Sequence, residues 1–165
     1  MDDVYAINLA KTILREGYNE GDPERILSVY DDAFADMSYG MPSFYYSDAK
    51  EVFRARLNRL FSDYKVSMNV LIIDVVLNGD RAFDWGWHIL NLTAKGDGAG
   101  LQVRTRYFET WRQDAKRGWL ITSLSITWIS LRDCRSSGSK KSRPAGIAAW
   151  LPACLAIFHN SPLQR

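Results

Sequence analysis

The chain has 165 residues and a net charge of +2, with 47% apolar, 24% charged and 13% aromatic residues. That length suits one domain with a real core, and that charge content is ordinary for a globular protein. Up to position 130 there are fifteen Lys and Arg against eighteen Asp and Glu, so this part is mildly acidic and gives no support to nucleic-acid binding, while residues 131–165 carry a charge of +5.

The start, MDDVYA, lacks the basic-then-apolar build of a signal peptide, and no run reaches the length of a membrane span. The two cysteines, Cys134 and Cys154, both lie late in the chain without metal-ligand spacing. These features predict a cytoplasmic protein with no metal site and no membrane association.

Val4, Ile7, Ala10, Leu14 and Tyr18 fall at steps of three and four, one face of a first helix. Asp22 before Pro23 caps a second, short helix to about Tyr30. Phe34–Tyr39 reads as a short strand and Met41–Ser47 as an aromatic-rich loop. Asp48 followed by Glu51 opens a third helix with Phe53, Leu57, Leu60, Phe61 and Tyr64 on its buried face and Arg54, Arg56 and Arg59 on a solvated one.

Strands follow. Val66, Met68, Val70 and Ile72 alternate, and Asn78-Gly79-Asp80 marks a tight hairpin. The strand RAFDWGWHIL places Phe83, Trp85, Trp87 and Ile89 at every second position. AKGDGAG is a hairpin loop, too irregular to cradle a nucleotide, so no cofactor is predicted. LQVRTRYFETWRQ and WLITSLSITWIS form two more strands around the turn DAKRG. The order α-α-β-α-β-β-β-β predicts an α+β fold with an antiparallel sheet wrapped over the helices. The domain is expected to occupy residues 1–130. Ser136–Gly146 is linker-like, and the apolar stretch after it, interrupted by Pro152, does not continue the pattern.

Three stretches, EGDPERILSVYDDAF, GDRAFDWGWHILNLT and TRYFETWRQDAKRGWLI, make the chain resemble the nuclear-transport-factor-2-like, or SnoaL-like, superfamily. That superfamily includes ketosteroid isomerases, polyketide cyclases and scytalone dehydratase; the third stretch resembles a stress-associated subgroup of unknown function. The resemblance covers about residues 3–130 and implies a cone-shaped curved sheet around a mostly apolar pocket, often dimeric through its outer face.

If one parity of each strand faces such a pocket, the expected wall is Phe83, Trp85, Trp87 and Ile89, then Thr105, Tyr107, Glu109 and Trp111, then Thr122, Leu124, Ile126 and Trp128. The alternative is that these aromatics simply fill a core. The other parity, Asp84, Gly86, His88 and Leu90 with Arg104, Arg106 and Phe108, would form an outer face for a homodimer.

The isomerase residues transfer only in part. The Tyr donor's position holds Leu14, and the base position falls at Met37, beside Asp36. The protonated-acid position falls at Glu109. Steroid isomerisation is thus not expected. The candidate catalytic groups are Glu109, Asp36 and Tyr107, and burial among Trp side chains would disfavour an ionised Glu109. Pairing of Glu109 with Arg104 or Arg106 is the plain alternative. The function expected is binding of a small hydrophobic molecule, with cofactor-free isomerase, cyclase or dehydratase chemistry; the alternative is a non-catalytic ligand-binding or dimerisation module.

Overall fold

The computed structural model describes residues 2–38, 43–45, 47–96 and 98–133. The elements are α1 (Asp3–Glu20), α2 (Pro23–Leu27), β1 (Tyr30–Asp36), α3 (Ser47–Asp63), β2 (Tyr64–Asn78), β3 (Arg81–Ala94), β4 (Gly100–Asp114) and β5 (Gly118–Asp133). The fold is α+β, in the expected order.

Local chemistry sets the helix ends. Asp2 accepts a hydrogen bond from the Val4 N–H at the start of α1, and Gly21 closes it with φ +71°, a left-handed conformation that glycine adopts without strain. Asp22 accepts from the Glu24 and Arg25 N–H groups, with Pro23 at the first helical position of α2. That helix stops at Leu27 rather than near Tyr30, because Tyr30 is drawn into β1 beside Ile121. The surface ion pairs of Arg25 with Glu16 and Glu20 link α2 to α1, that of Arg54 with Glu24 links α3 to α2, and Arg54 also pairs with Glu51 within α3. Each contributes little on its own.

The five strands form one curved, unclosed sheet in the order β1-β5-β4-β3-β2, antiparallel except for β1 beside β5. Helix α1 packs against β2 and β5, and α3 against β1 and β2. The core between them holds Ile7, Leu14, Ile26, Phe34, Leu57 and Trp111, each at most 2% exposed. Burying each such side chain contributes about 1.5–3 kcal/mol. A second cluster, Leu60, Val66, Leu92 and Val103, continues the core.

Three expectations fare differently. Arg56, read as part of a solvated helix face, is 5% exposed and turned inward onto Asp36. The last strand reaches Asp133, past position 130. The linker and apolar stretch beyond it, and Met41, Pro42 and Tyr46 of the expected loop, lie outside the described residues. Among the described residues, no helix is long and apolar enough to cross a membrane.

Candidate functional site

The interior of the sheet carries a polar cluster built from three elements. In the β3–β4 ladder Asp84 stands opposite Glu109, Gly86 opposite Tyr107, and His88 opposite Thr105. Residues directly opposite one another share a face of the sheet. Asp84 and Glu109 are 0% exposed, and Tyr107, Thr105, His88 and Trp111 are buried with them.

This reverses the parity expected for β3. Phe83, Trp85, Trp87 and Ile89 lie on the outer face, opposite Thr110, Phe108, Arg106 and Arg104. Trp85, Trp87 and Ile89 therefore do not line the interior with Glu109; His88 and Asp84 do. The reason is space. Beside β3 the inner face carries the Tyr107 and Trp111 side chains and Lys11 of α1, all set on Asp84, and β3 turns its small and polar residues toward them. Gly86 is the tightest point. A Cβ there would lie 1.9 Å from the Leu71 carbonyl oxygen and 3.0 Å from the Tyr107 hydroxyl. A bulge in β2 between Ile72 and Asp74 adjoins this close approach.

Helix α1 completes the cluster. Lys11 lies on the buried stripe between Ile7 and Leu14 and is 3% exposed. Its ammonium hydrogen-bonds Glu109 Oε2, stands 3.1 Å from Asp84 Oδ2, and lies 3.9 Å over the Tyr107 ring. Asp84 also accepts from the Tyr107 hydroxyl at 2.8 Å and from Trp111 Nε1 at 2.7 Å. The His88 ring stacks on Tyr107, with centroids 4.2 Å apart and planes at 13°. Glu109 thus pairs with Lys11, not with Arg104 or Arg106, which cover Trp87 on the outer face.

Burial sets the protonation chemistry. Loss of hydration raises the Glu109 carboxyl to about 7; Asp84 adds to the rise and Lys11 opposes it. Burial holds His88 well below its ordinary 6.5, and the Lys11 charge pushes the same way. The Tyr107 hydroxyl is raised by burial, by Asp84 and by Glu109, so it stays protonated. Glu109 Oε1 and His88 Nε2 face one another at 3.9 Å, and neither has a hydrogen-bond partner. Thr105 Oγ1, opposite His88 in the ladder, is also unpartnered.

The remaining sequence candidates divide. Leu124 stands opposite Glu109 and is buried, and Ile126 stands opposite Tyr107, half-buried. Trp128 pairs with Thr105 through its backbone, and its side chain lies outside the described residues. Asp36 is buried but belongs to a separate pair. Its Oδ2 meets the Arg56 guanidinium at 3.3 Å, and its Oδ1 accepts from the Ser38 N–H. The two carboxyls share an effect on Tyr18 and Tyr30, whose hydroxyls are raised by burial first and by both charges as well. Among the described residues, no three His, Cys, Asp or Glu side chains gather as a metal-ligand set.

Sequence reasoning missed Lys11. Its signal was spacing: it sits four residues after Ile7 and three before Leu14, inside the apolar stripe.

No protein-family model matches the chain, and no curated protein matches it. Solved structures do. A ketosteroid isomerase-like protein from Erwinia carotovora superposes with a TM-score of 0.67 at 20% identity, over 78% of this chain and 98% of that one. A nuclear transport factor 2-like superfamily protein from Salmonella enterica gives 0.62 at 10% identity, over 83% and 94%. A hexachlorocyclohexane dehydrochlorinase from Novosphingobium barchaimii gives 0.63 at 11% identity, over 86% and 98%. The chain therefore has the nuclear-transport-factor-2-like fold.

Proposed function

We propose that this protein is a cofactor-independent enzyme that moves a proton on a small, mostly apolar molecule held inside the curved sheet, in the manner of an isomerase, cyclase or dehydratase. The observation that carries this reading is the facing pair Glu109 Oε1 and His88 Nε2, buried, unpartnered and 3.9 Å apart. Lys11, Asp84, Tyr107 and Trp111 direct their polar atoms at one another or at Glu109 Oε2, and so hold the pair in place. A carboxyl near 7 beside a neutral imidazole is a proton donor and acceptor suited to neutral pH. Glu109 and His88 are the catalytic residues of this reading. Asp84 and Lys11 are positioning residues, and Asp36 with Arg56 forms a separate buried charged pair. Two similar structures are described as an isomerase-like protein and a dehydrochlorinase, which supports proton-transfer chemistry in such a fold.

The test is solvent exchange. Small cyclic ketones and hydroxyketones are incubated with the protein in D2O and followed by NMR. Deuterium should enter a carbon next to the carbonyl of at least one member. Glu109→Gln should slow that exchange by about 10²-fold or more, the scale of a lost general acid–base group. No exchange above the uncatalysed rate across the panel would overturn the reading.

A second observation favours an association surface as well. The outer face carries Leu71, 50% exposed, and Phe108, 44% exposed, among the half-buried Phe83, Trp85 and Trp87. We propose that this face makes a homodimer.

A further inference from the structure

Strand β2 ends the sheet. Among the described residues, β3 pairs with one of its edges and no strand pairs with the other. An edge of that kind offers backbone N–H and C=O groups to any extended chain that approaches it. Residues 70–77 of β2 read VLIIDVVL, seven apolar residues around a single charge, with no proline or glycine. Such runs pair readily with copies of themselves when an edge is open. Leu71, Ile73 and Leu77 are exposed, Ile73 the most at 62%.

Three features oppose that pairing. Asn19 of α1 takes the Met68 N–H with its Oδ1 at 2.6 Å, so α1 guards the first half of the strand. In the second half, Asp74 Oδ1 takes the N–H of its own neighbour Val75 at 2.9 Å. Between them, the register with β3 shifts between Ile72 and Asp74, a bulge that breaks the even spacing a second strand would need. We propose that Asp74 guards this edge, and that its charge keeps residues 70–77 from pairing edge to edge with a second copy of the chain. The bond to Val75 is exposed, where water would serve nearly as well, so it adds little to stability. What it does is hold the carboxylate against the open edge. Two copies of this run set side by side would bring their Asp74 carboxylates close together, and like charges across a strand pair destabilise it. The role is independent of the chemistry of the inner face.

The variants are made in the full chain carrying Phe108→Glu, because Asp74 stands opposite Trp85 and the outer face must be kept out of the measurement. Sedimentation velocity reads self-association, and hydrogen exchange followed by mass spectrometry locates it. Asp74→Ala should lower the concentration at which copies associate by about tenfold, the equivalent of about 1.4 kcal/mol. Exchange in residues 70–77 should slow as they do. Asp74→Asn keeps an acceptor for the Val75 N–H and removes the charge, so it should associate as Asp74→Ala does. Adding Ile73→Lys puts a charge back into the run and should restore the starting concentration. If Asp74→Ala does not fold, Asp74→Asn with and without Ile73→Lys decides the matter. Association unchanged in the Asp74 variants, slowed exchange confined to other segments, or association that Ile73→Lys leaves in place would each overturn the role.

Discussion

Asp84 shows how a single buried carboxyl organises the interior. Its two oxygens take the Tyr107 hydroxyl, the Trp111 ring N–H and a contact with the Lys11 ammonium, so the groups around Glu109 have fixed positions. Glu109 and His88 then carry opposite protonation anomalies, with a consequence for stability. Between pH 4.5 and 6.5, the ordinary values of the two groups, the unfolded chain has a charged Glu109 and a protonated His88. In the folded chain Glu109 is raised and His88 lowered, so the two opposite shifts offset and the pair contributes little slope. Single substitutions should unmask each half. Glu109→Gln leaves only His88, whose lowered value makes stability rise with pH up to about 6.5. His88→Gln leaves only Glu109, whose raised value makes stability fall from pH 4.5 to about 7, by on the order of 3 kcal/mol. Urea midpoints across this range read both slopes. Slopes of the same sign in the two variants would contradict the assignment. Tyr107, Glu109 and Trp111 were legible from the alternation of β4. Lys11 was not, because a lysine within an apolar stripe reads as a stray polar residue until a buried carboxyl is known to await it.

At the scale of elements, the Trp row of β3 was legible as a strand face and misleading as to which face. Bulk suggested the interior, but the register decides, since shifting by one residue turns every side chain over. In the ladder, Trp85 meets Phe108 and Asp84 meets Glu109, so a face containing both Trp85 and Glu109 is impossible. Gly86 was the local sign: a residue without a side chain between Trp85 and Trp87 marks the crowded side of the strand. The aromatics displaced outward form a layer. Phe83 lies 6.3 Å from Trp85 and 6.0 Å from Phe108, and the Arg104 guanidinium sits 4.2 Å over Trp87. If two copies meet there, Phe108→Glu places a charge in the interface. Sedimentation should show a dimer for the unaltered chain and a shift toward monomer for the variant, with helix and strand content unchanged. A monomer at all concentrations for the unaltered chain would remove the claim.

For the whole molecule, the order of elements carried the fold. Helices gathered before a run of long strands, one tight hairpin at Asn78–Asp80 and capped helix starts at Asp2 and Asp22 left few topologies that could bury the apolar faces. The parallel pairing of β1 with β5 joins residues about ninety apart, and no local pattern announces it. The site depends on such distant joins, bringing Lys11 of α1 to Glu109 of β4. The central claim is that the buried inner face of this sheet holds Glu109 as an acid near neutrality beside a neutral His88. The direct measurement is an NMR titration of the Glu109 side-chain carboxyl carbon, with the His88 ring nitrogens followed in the same samples. The account predicts a Glu109 midpoint near 7 and a His88 that stays neutral well below 6.5. A Glu109 midpoint near its ordinary 4.5, with His88 protonating near 6.5, would contradict it.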